Sequence, residues 1–266
     1  MLNKILLNKY SELLKEIDIE INGNRPWDLT VHNPDLYKSI LFSGSLGFGE
    51  GYMKGWFDCE RLDLFFEKVL KQGVSTEIHS IPLFLGRIKS KLRNLQSISR
   101  AFQVAERHYD IGNDLFSLML DKTMMYTCGY WTDEVNTLEQ SQLAKLDLVA
   151  KKLDLKPGMK VLDIGCGWGG AAKHLANNYG VSVVGITVSK EQIEYAKENS
   201  DNMNVDFRLV DYRDLNEKFD AIYSIGMFEA VGYKNYREFF EIVRGCLKDE
   251  GAFLLHTIGG NESTTT

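Results

Sequence analysis

The feature that most restricts the fold of this chain is a regular alternation of short apolar segments with longer amphipathic ones after residue 159. The amphipathic segments have helical spacing over 169–179, 190–199 and 235–247. The apolar segments have the length and composition of buried strands; they are 159–164, 181–186, 205–210, 219–224 and 251–257. Strands that alternate with helices predict a parallel sheet, and therefore an α/β fold.

The sequence before residue 150 has a different character, which predicts a separate, smaller domain. Helices are expected over 10–17, 34–43 and 62–70, and short strands over 19–21 and 29–31. The Gly-rich stretch 44–51 is predicted to form a turn, because so many glycines disfavour a regular interior. We therefore assign residues 1–79 to a small mixed α+β domain, 80–107 to a helical connector and 108–266 to the α/β domain.

The connector is basic and amphipathic. Its positive charges alternate with apolar residues and are opposed only by Glu106; they are Arg87, Lys89, Lys91, Arg93, Arg100 and Arg107. Such a segment can lie on an anionic membrane surface, where each cation contributes on the order of 1 kcal/mol. A linker helix with a solvated face fits equally well, and both interpretations stay open.

Composition excludes several classes of protein. A net charge of −6 argues against a general nucleic-acid binder, so no nucleic-acid partner is expected. No apolar stretch approaches the roughly 20 residues that cross a bilayer, and polar residues interrupt the N-terminus where a signal peptide would be apolar. The four cysteines are widely separated, which disfavours a zinc site and a disulfide framework and fits a reducing cytosol. We expect a cytoplasmic protein and no metal.

A glycine-rich loop follows the first strand of the predicted α/β domain. Gly165, Gly167 and Gly170 match G-x-G-x-x-G at a strand-to-helix junction, where the backbone can approach a ligand closely. A dinucleotide-binding enzyme is the first alternative, but it would need an acid at the end of the second strand. Residues 185–188 contain none. Asp163 instead gives D-x-G-x-G, which resembles the first motif of the S-adenosylmethionine-dependent methyltransferases.

Further segments resemble the cyclopropane fatty acid synthases and the related mycolic acid methyltransferases. The longest are His108-Tyr-Asp-Ile-Gly-Asn-Asp114, Met125-Tyr-Thr-Cys-Gly-Tyr-Trp131, Gly185-Ile-Thr-Val-Ser-Lys-Glu-Gln192 and Gly226-Met-Phe-Glu-Ala-Val-Gly232. Shorter matches lie at 211–214 and 255–259, and residues 33–70 resemble the N-terminal domain of the bacterial phospholipid synthases, which implies that 1–79 binds lipid. The resemblance implies a Rossmann-like class I methyltransferase sheet that transfers a methylene from S-adenosylmethionine to the cis double bond of unsaturated phospholipid acyl chains.

The same resemblance implies which residues hold the cofactor S-adenosylmethionine. These are Tyr126, Thr127, Gly165, Gly167, Thr187, Gln192, Asp211 and Tyr212. Tyr126 and Thr127 are expected to close over the methionine end. Tyr109 is expected to lie over the cofactor, where an aromatic face stabilises a cation.

A second set is implied to bind bicarbonate, the base that removes a proton as the ring closes. Its members are Cys128, Glu229, His256 and the backbone amide of Ile258. Each side chain also has a simpler explanation. Cys128 can be a small buried apolar residue, Glu229 a solvated loop carboxylate, and His256 a core residue of an apolar strand.

Members of the resembling family continue past the position that corresponds to residue 266. We therefore expect a sheet that is incomplete at its C-terminal end, with the strand 251–257 exposing an edge, impaired stability and weak activity. Two alternatives follow: a non-catalytic remnant that binds cofactor or membrane, and a lipid methyltransferase without ring closure. The expected partner is an unsaturated phospholipid bilayer, contacted from the inner face of the cytoplasmic membrane, with a homodimer as a further possibility.

Overall fold

The computed structural model describes residues 2–71 and 112–260, which fall into two compact units. The predicted connector 80–107, residues 108–111 with Tyr109, and the tail 261–266 lie outside the described residues. The domain boundaries at 79 and 107 therefore stay predictions. Each unit is described by itself below.

The N-terminal unit combines helices with a pair of short strands. One lies within the predicted strand 29–31, whereas the predicted strand 19–21 is reduced to a bridge at Ile21, and the strand at 57–58 was not predicted. Antiparallel strands β1 and β2 pair, and an isolated bridge joins Ile21 to Leu29. The elements are α1 (Leu2–Glu16), β1 (Thr30–Val31), α2 (Asp35–Met53), β2 (Phe57–Asp58) and α3 (Leu62–Lys71). Its core contains Ile19, Leu36, Phe57 and Phe65, each at least 95% buried. This mixed α+β arrangement agrees with the sequence pattern.

The prediction of a turn over 44–51 was wrong, because α2 continues through this stretch to Met53. The helix is kinked at Gly44, whose φ of 57° and ψ of −132° are not helical. Beyond the kink, a Cβ on Gly47 would lie 2.1 Å from the Ser39 carbonyl oxygen, and one on Gly51 would lie 2.6 Å from Leu36 Cδ1. The glycines therefore permit close packing of a kinked helix rather than ending it.

The second unit contains the predicted α/β sheet. Its strands β3 to β7 all pair in parallel, in the order β5-β4-β3-β6-β7. They are β3 (Lys160–Ile164), β4 (Ser182–Thr187), β5 (Val205–Leu209), β6 (Phe219–Ile225) and β7 (Leu247–His256). The helices are α4 (Asn113–Met119), α5 (Leu138–Lys152), α6 (Gly170–Tyr179), α7 (Lys190–Glu198) and α8 (Tyr236–Cys246). The predicted order of strands and helices is confirmed, although β7 begins at Leu247 instead of residue 251.

Neighbouring residues of β3, β4 and β6 enter two apolar layers, one on each face of the sheet. Val161 and Val183 pack in the layer that includes residues of α5, α6 and α7. Leu162 and Val184 pack in the opposite layer, which includes residues of α8. Because both faces are covered there, the central strands are mostly apolar, whereas the edge strand β5 alternates apolar with charged residues. The carboxyl ends of the strands and the loops that follow them are thereby held at one edge of a rigid core.

Two negative findings apply to the described residues 2–71 and 112–260. None of their helices is long and apolar enough to span a bilayer. Within the same ranges, no cluster of three His, Cys, Asp or Glu side chains could hold a metal ion.

Candidate active site

A glycine loop between β3 and α6 forms the floor of the site. A Cβ on Gly165 would lie 2.6 Å from Met227 Cβ, so glycine is needed for the close approach of these two loops. Gly167 has a φ of 54°, and a Cβ there would meet nothing within 4 Å. The loop therefore leaves open space above Gly167, where a larger residue would intrude.

That open space is part of a cavity of about 210 Å³ at the carboxyl ends of β3, β4, β5 and β6. All eight residues predicted to hold the cofactor line it. They come from the last residue of β4, from the segments after β3, β4 and β5 and from the loop before α5, so the fold brings together positions far apart in the sequence. Lining residues that the sequence analysis did not select include Trp168, Ser189, Arg213 and Met227.

Trp168 links the glycine loop to the first family-like segment. Its side chain is buried and its Nε1 donates a hydrogen bond of 2.7 Å to Asn113 Oδ1. Phe116 packs against both Trp168 and Tyr126, with ring centroids 4.7 and 5.3 Å apart. Asn113 is the sixth residue of the segment 108–114, so at least this part of the motif supports the cavity wall.

At the end of β4, neutral polar groups stand where dinucleotide-binding enzymes place an acid. Thr187 Oγ1 donates to Gln192 Oε1 at 3.0 Å, and both side chains are buried. Ser189 caps α7 by accepting from the Gln192 amide at 3.3 Å. This contact fixes the first turn of α7 and, with it, the position of Gln192 beside the cavity.

Beyond β5, a buried ion pair holds Asp211 in place. Its carboxylate accepts from the Arg213 backbone amide at 3.0 Å and from Arg213 Nη1 at 3.1 Å. The guanidinium also lies over the Tyr212 ring, 4.8 Å from its centroid, and burial raises the pKa of the Tyr212 hydroxyl. The carboxylate is thus neutralised and oriented before any ligand enters.

Two residues of α5 hold the loop that contains Tyr126 and Thr127. Gln142 Nε2 donates to the Thr127 carbonyl oxygen at 2.8 Å, and Lys145 Nζ donates to Thr127 Oγ1 at 2.7 Å. Gln142 and Lys145 are both buried. Their spacing of three residues places them on one helix face, a signal that sequence reasoning could have used.

Asp163, the acid of D-x-G-x-G, lies inside the sheet and not at the cavity surface. It is 2% exposed and accepts a hydrogen bond of 2.9 Å from the Tyr223 hydroxyl on β6. Burial raises the pKa of Asp163 to about 7, and the hydrogen bond from Tyr223 opposes that rise. The pair joins β3 to β6 directly below the glycine loop.

The four residues predicted to bind bicarbonate form two contacting pairs. Cys128 Sγ lies 3.8 Å from His256 Nε2, and the Ile258 amide donates to Glu229 Oε1 at 2.7 Å. The Ile258 amide is thus engaged by Glu229, whereas the resemblance implied that it donates to an anion. His256 Nδ1 is buried and has no hydrogen-bond partner among the described residues.

The model of the mycolic acid cyclopropane synthetase family matches residues 96–266. The chain belongs to this family. The matched region contains the cavity and both contacting pairs, so the whole predicted site lies within the part of the chain that the family model covers.

Two relatives match the chain to different extents. The cyclopropane-fatty-acyl-phospholipid synthase of Escherichia coli (strain K12) is 54% identical over 254 residues, which are 95% of this chain and 66% of that protein. The S-adenosylmethionine-dependent methyltransferase UmaA of Mycobacterium tuberculosis is 45% identical over 59% of this chain and 56% of its own length. The chain therefore spans slightly less than two thirds of the first relative.

Solved structures of cyclopropane synthases share the fold. MmaA2 from Mycobacterium tuberculosis is 41% identical with a TM-score of 0.58, and the match covers 60% of this chain and 57% of that one. The mycolic acid cyclopropane synthase CmaA1, complexed with SAH and CTAB, is 38% identical with a TM-score of 0.56, covering 58% of this chain and 55% of that one. The predicted class I methyltransferase sheet is confirmed by these neighbours.

Proposed function

We propose that the chain is an S-adenosylmethionine-dependent cyclopropane fatty acid synthase that acts on unsaturated phospholipid acyl chains. One observation carries the proposal: eight residues selected for cofactor binding line a single cavity in a chain 54% identical to the Escherichia coli phospholipid synthase. The structural neighbour CmaA1 is complexed with SAH, which supports the same cofactor class here.

The chemistry of the cavity fits S-adenosylmethionine. The open space above Gly167 admits a ligand against the backbone, and apolar side chains such as Ile186 and Met227 can cover a flat base. Asp211 and Gln192 provide buried acceptors and donors for hydroxyl and amino groups. When bound, the cofactor supplies an electrophilic methyl group on a sulfonium; the chain holds that group in a dry site in line with the double bond.

Bicarbonate binding is the finer part of the proposal. His256 Nδ1 is buried and has no hydrogen-bond partner among the described residues. When this nitrogen carries the proton, an oxygen of a bound anion can accept a hydrogen bond from it. Cys128 lies on the other side of the same ring. Glu229 has to release the Ile258 amide before that amide can donate to an anion. The role of this cluster is to hold the base that takes the proton lost from the transferred methyl group as the ring closes.

Peripheral binding to an anionic bilayer from the cytoplasmic side is also proposed. It is supported by large apolar side chains exposed on two helices of the N-terminal unit. They are Phe42, Leu46 and Met53 on α2, with Phe66 and Leu70 on α3. Apolar side chains exposed together on helices are typical of surfaces that contact lipid or protein.

The test incubates the purified chain with methyl-labelled S-adenosylmethionine, bicarbonate and vesicles of an unsaturated phospholipid. We expect the extracted fatty acids to gain the mass of one methylene group and to lose their double bond. Vesicles of the saturated phospholipid are the matched substrate control and should take up no label.

Other outcomes separate the alternatives. Label that enters lipid while the double bond persists would support methyl transfer without ring closure. Binding of the cofactor without any transfer to lipid would support the non-catalytic interpretation and contradict the proposed reaction.

A further inference from the structure

Lys145 is a buried lysine whose position the proposed reaction does not yet explain. Lys145 is 4% exposed, and its Nζ donates to Thr127 Oγ1 at 2.7 Å and to Gln142 Oε1 at 2.5 Å. No carboxylate of the described residues lies within ion-pair distance of it. The charged groups that favour its protonated form from neighbouring elements are Cys128, when ionised, and Asp121. An ammonium that is buried without an ion pair is costly, which suggests a functional reason for it.

The direction of these hydrogen bonds determines what Thr127 can do. An ammonium has three donors and no acceptor, so Thr127 Oγ1 must accept from Lys145. The Thr127 hydroxyl hydrogen is then free to point to a different acceptor. Thr127 lines the cavity, and its methyl group packs against Gly226, where an added Cβ would lie 2.4 Å from Thr127 Cγ2. The rotamer of Thr127 is therefore fixed by packing while its hydroxyl is kept as a donor.

Gln142 is oriented by the same charge. Its Oε1 accepts from Lys145, which leaves its Nε2 to donate to the Thr127 carbonyl oxygen. Lys145 thus contacts Thr127 directly at its hydroxyl and, through Gln142, at its carbonyl.

We propose that Lys145 is a positioning residue for Thr127. It keeps the Thr127 hydroxyl as a hydrogen-bond donor that points at the carboxylate of the bound cofactor. The inference rests on the proposed function, since it concerns the same cavity. A neutral amine at this position could accept the Thr127 hydroxyl hydrogen and so remove the donor from the cavity.

The affinity of the cavity for the cofactor should depend on pH. Burial lowers the pKa of Lys145 to about 8, against the opposing effects of Cys128 and Asp121. Lys145 is therefore mostly charged at pH 7 and mostly neutral at pH 9.5. Because only the charged form fixes the Thr127 hydroxyl as a donor, cofactor affinity is expected to fall as the pH rises through about 8.

The experiment measures the dissociation constant for S-adenosylhomocysteine by calorimetry from pH 6.5 to 9.5, on the whole chain. Lys145→Met keeps the volume and removes the charge, and should bind about tenfold more weakly than the unmodified chain at pH 7, with a smaller difference at pH 9.5, where the neutral amine no longer fixes the Thr127 hydroxyl as a donor. Lys145→Arg keeps a charge that does not titrate in this range, so its affinity should show no loss near pH 8 beyond the ligand's own.

Lys173→Met is the matched control. Burial also lowers the pKa of Lys173, but this residue lies over the Tyr195 ring and not beside Thr127. Its variant should follow the unmodified chain at every pH. A purely structural role of Lys145 would instead weaken binding by Lys145→Met by the same factor at every pH.

Three results are decisive. A tenfold gap at pH 7 that narrows as the pH rises to 9.5 supports the proposal. A gap that is absent, or that is constant across this range, overturns it while leaving the proposed cofactor in place. Failure of the unmodified chain to bind S-adenosylhomocysteine at pH 7 overturns both the proposed function and the role of Lys145.

Discussion

Replacement of Tyr223 by Phe tests the electrostatics beneath the glycine loop. Tyr223 is fully buried, and its hydroxyl is the side-chain donor to Asp163. The pKa of Asp163 is raised from 3.8 to about 7 in the folded state. Between these two pH values the folded protein therefore keeps a proton on Asp163 that the unfolded chain has released. This carboxyl therefore contributes stability that increases as the pH falls from 7 towards 4, and disfavours the folded state above pH 7.

The loss of stability caused by Tyr223→Phe depends on whether Asp163 is charged. At pH 8 Asp163 is mostly ionised, and at pH 6 it is mostly protonated. A hydrogen bond to a charged group contributes about 1.5–3 kcal/mol and one to a neutral group about 0.5–1.5 kcal/mol. Tyr223→Phe should therefore cost about 2–3 kcal/mol at pH 8 and about 1 kcal/mol at pH 6.

The assay is native-state hydrogen exchange of peptides from β3 and β6, which reports the opening free energy of this sheet. Asp163→Asn is the control background, because an amide there cannot ionise. In that background Tyr223→Phe should cost the same at both pH values. An equal cost at pH 6 and pH 8 with Asp163 present would refute the reasoning.

Three further changes have definite expectations. Gly167→Ala should weaken S-adenosylhomocysteine binding at least about tenfold in calorimetry, because its methyl group enters the cavity. Gly245→Ala, in open space on α8, is its control and should leave affinity unchanged. Glu229→Gln still accepts from the Ile258 amide but loses its charge. Lipid methylenation should fall about a hundredfold while the affinity for S-adenosylhomocysteine is kept. Full activity of this variant would contradict the role of Glu229. Thr137→Ala removes the capping box of α5 and should cost about 1 kcal/mol in urea unfolding, against no cost for Thr132→Ala.

Much of the fold was predictable because the strands of the second unit are buried on both faces. Mostly apolar segments such as Phe219–Ile225 have few alternatives, and the helices between them have one apolar face. The N-terminal unit was harder. Glycine usually disfavours helix interiors, yet Gly47 and Gly51 serve close packing within a helix, which depends on partners that local sequence does not reveal.

The candidate site shows a similar division. Residues within the family-like segments could be selected, and the structure brings the cofactor set to one cavity. Lys145 and Tyr223 were not selected, because a lysine on a helix and a tyrosine in a strand read as ordinary surface and core residues. Arg213 was not selected although it lies in the family-like segment 211–214. Their roles depend on tertiary contacts to Thr127, Asp211 and Asp163. The bond from the Ile258 amide to Glu229 likewise follows from loop geometry and not from spacing.

The most direct test of the proposed reaction follows the fate of the transferred carbon. The chain would be incubated with S-adenosylmethionine carrying a ¹³C-labelled methyl group and with unsaturated phospholipid vesicles, and the extracted lipid examined by NMR. We predict that the label appears as a ring methylene. A ¹³C signal from a branched methyl group, or lipid without any label while S-adenosylhomocysteine still binds, would contradict the proposed cyclopropane synthase.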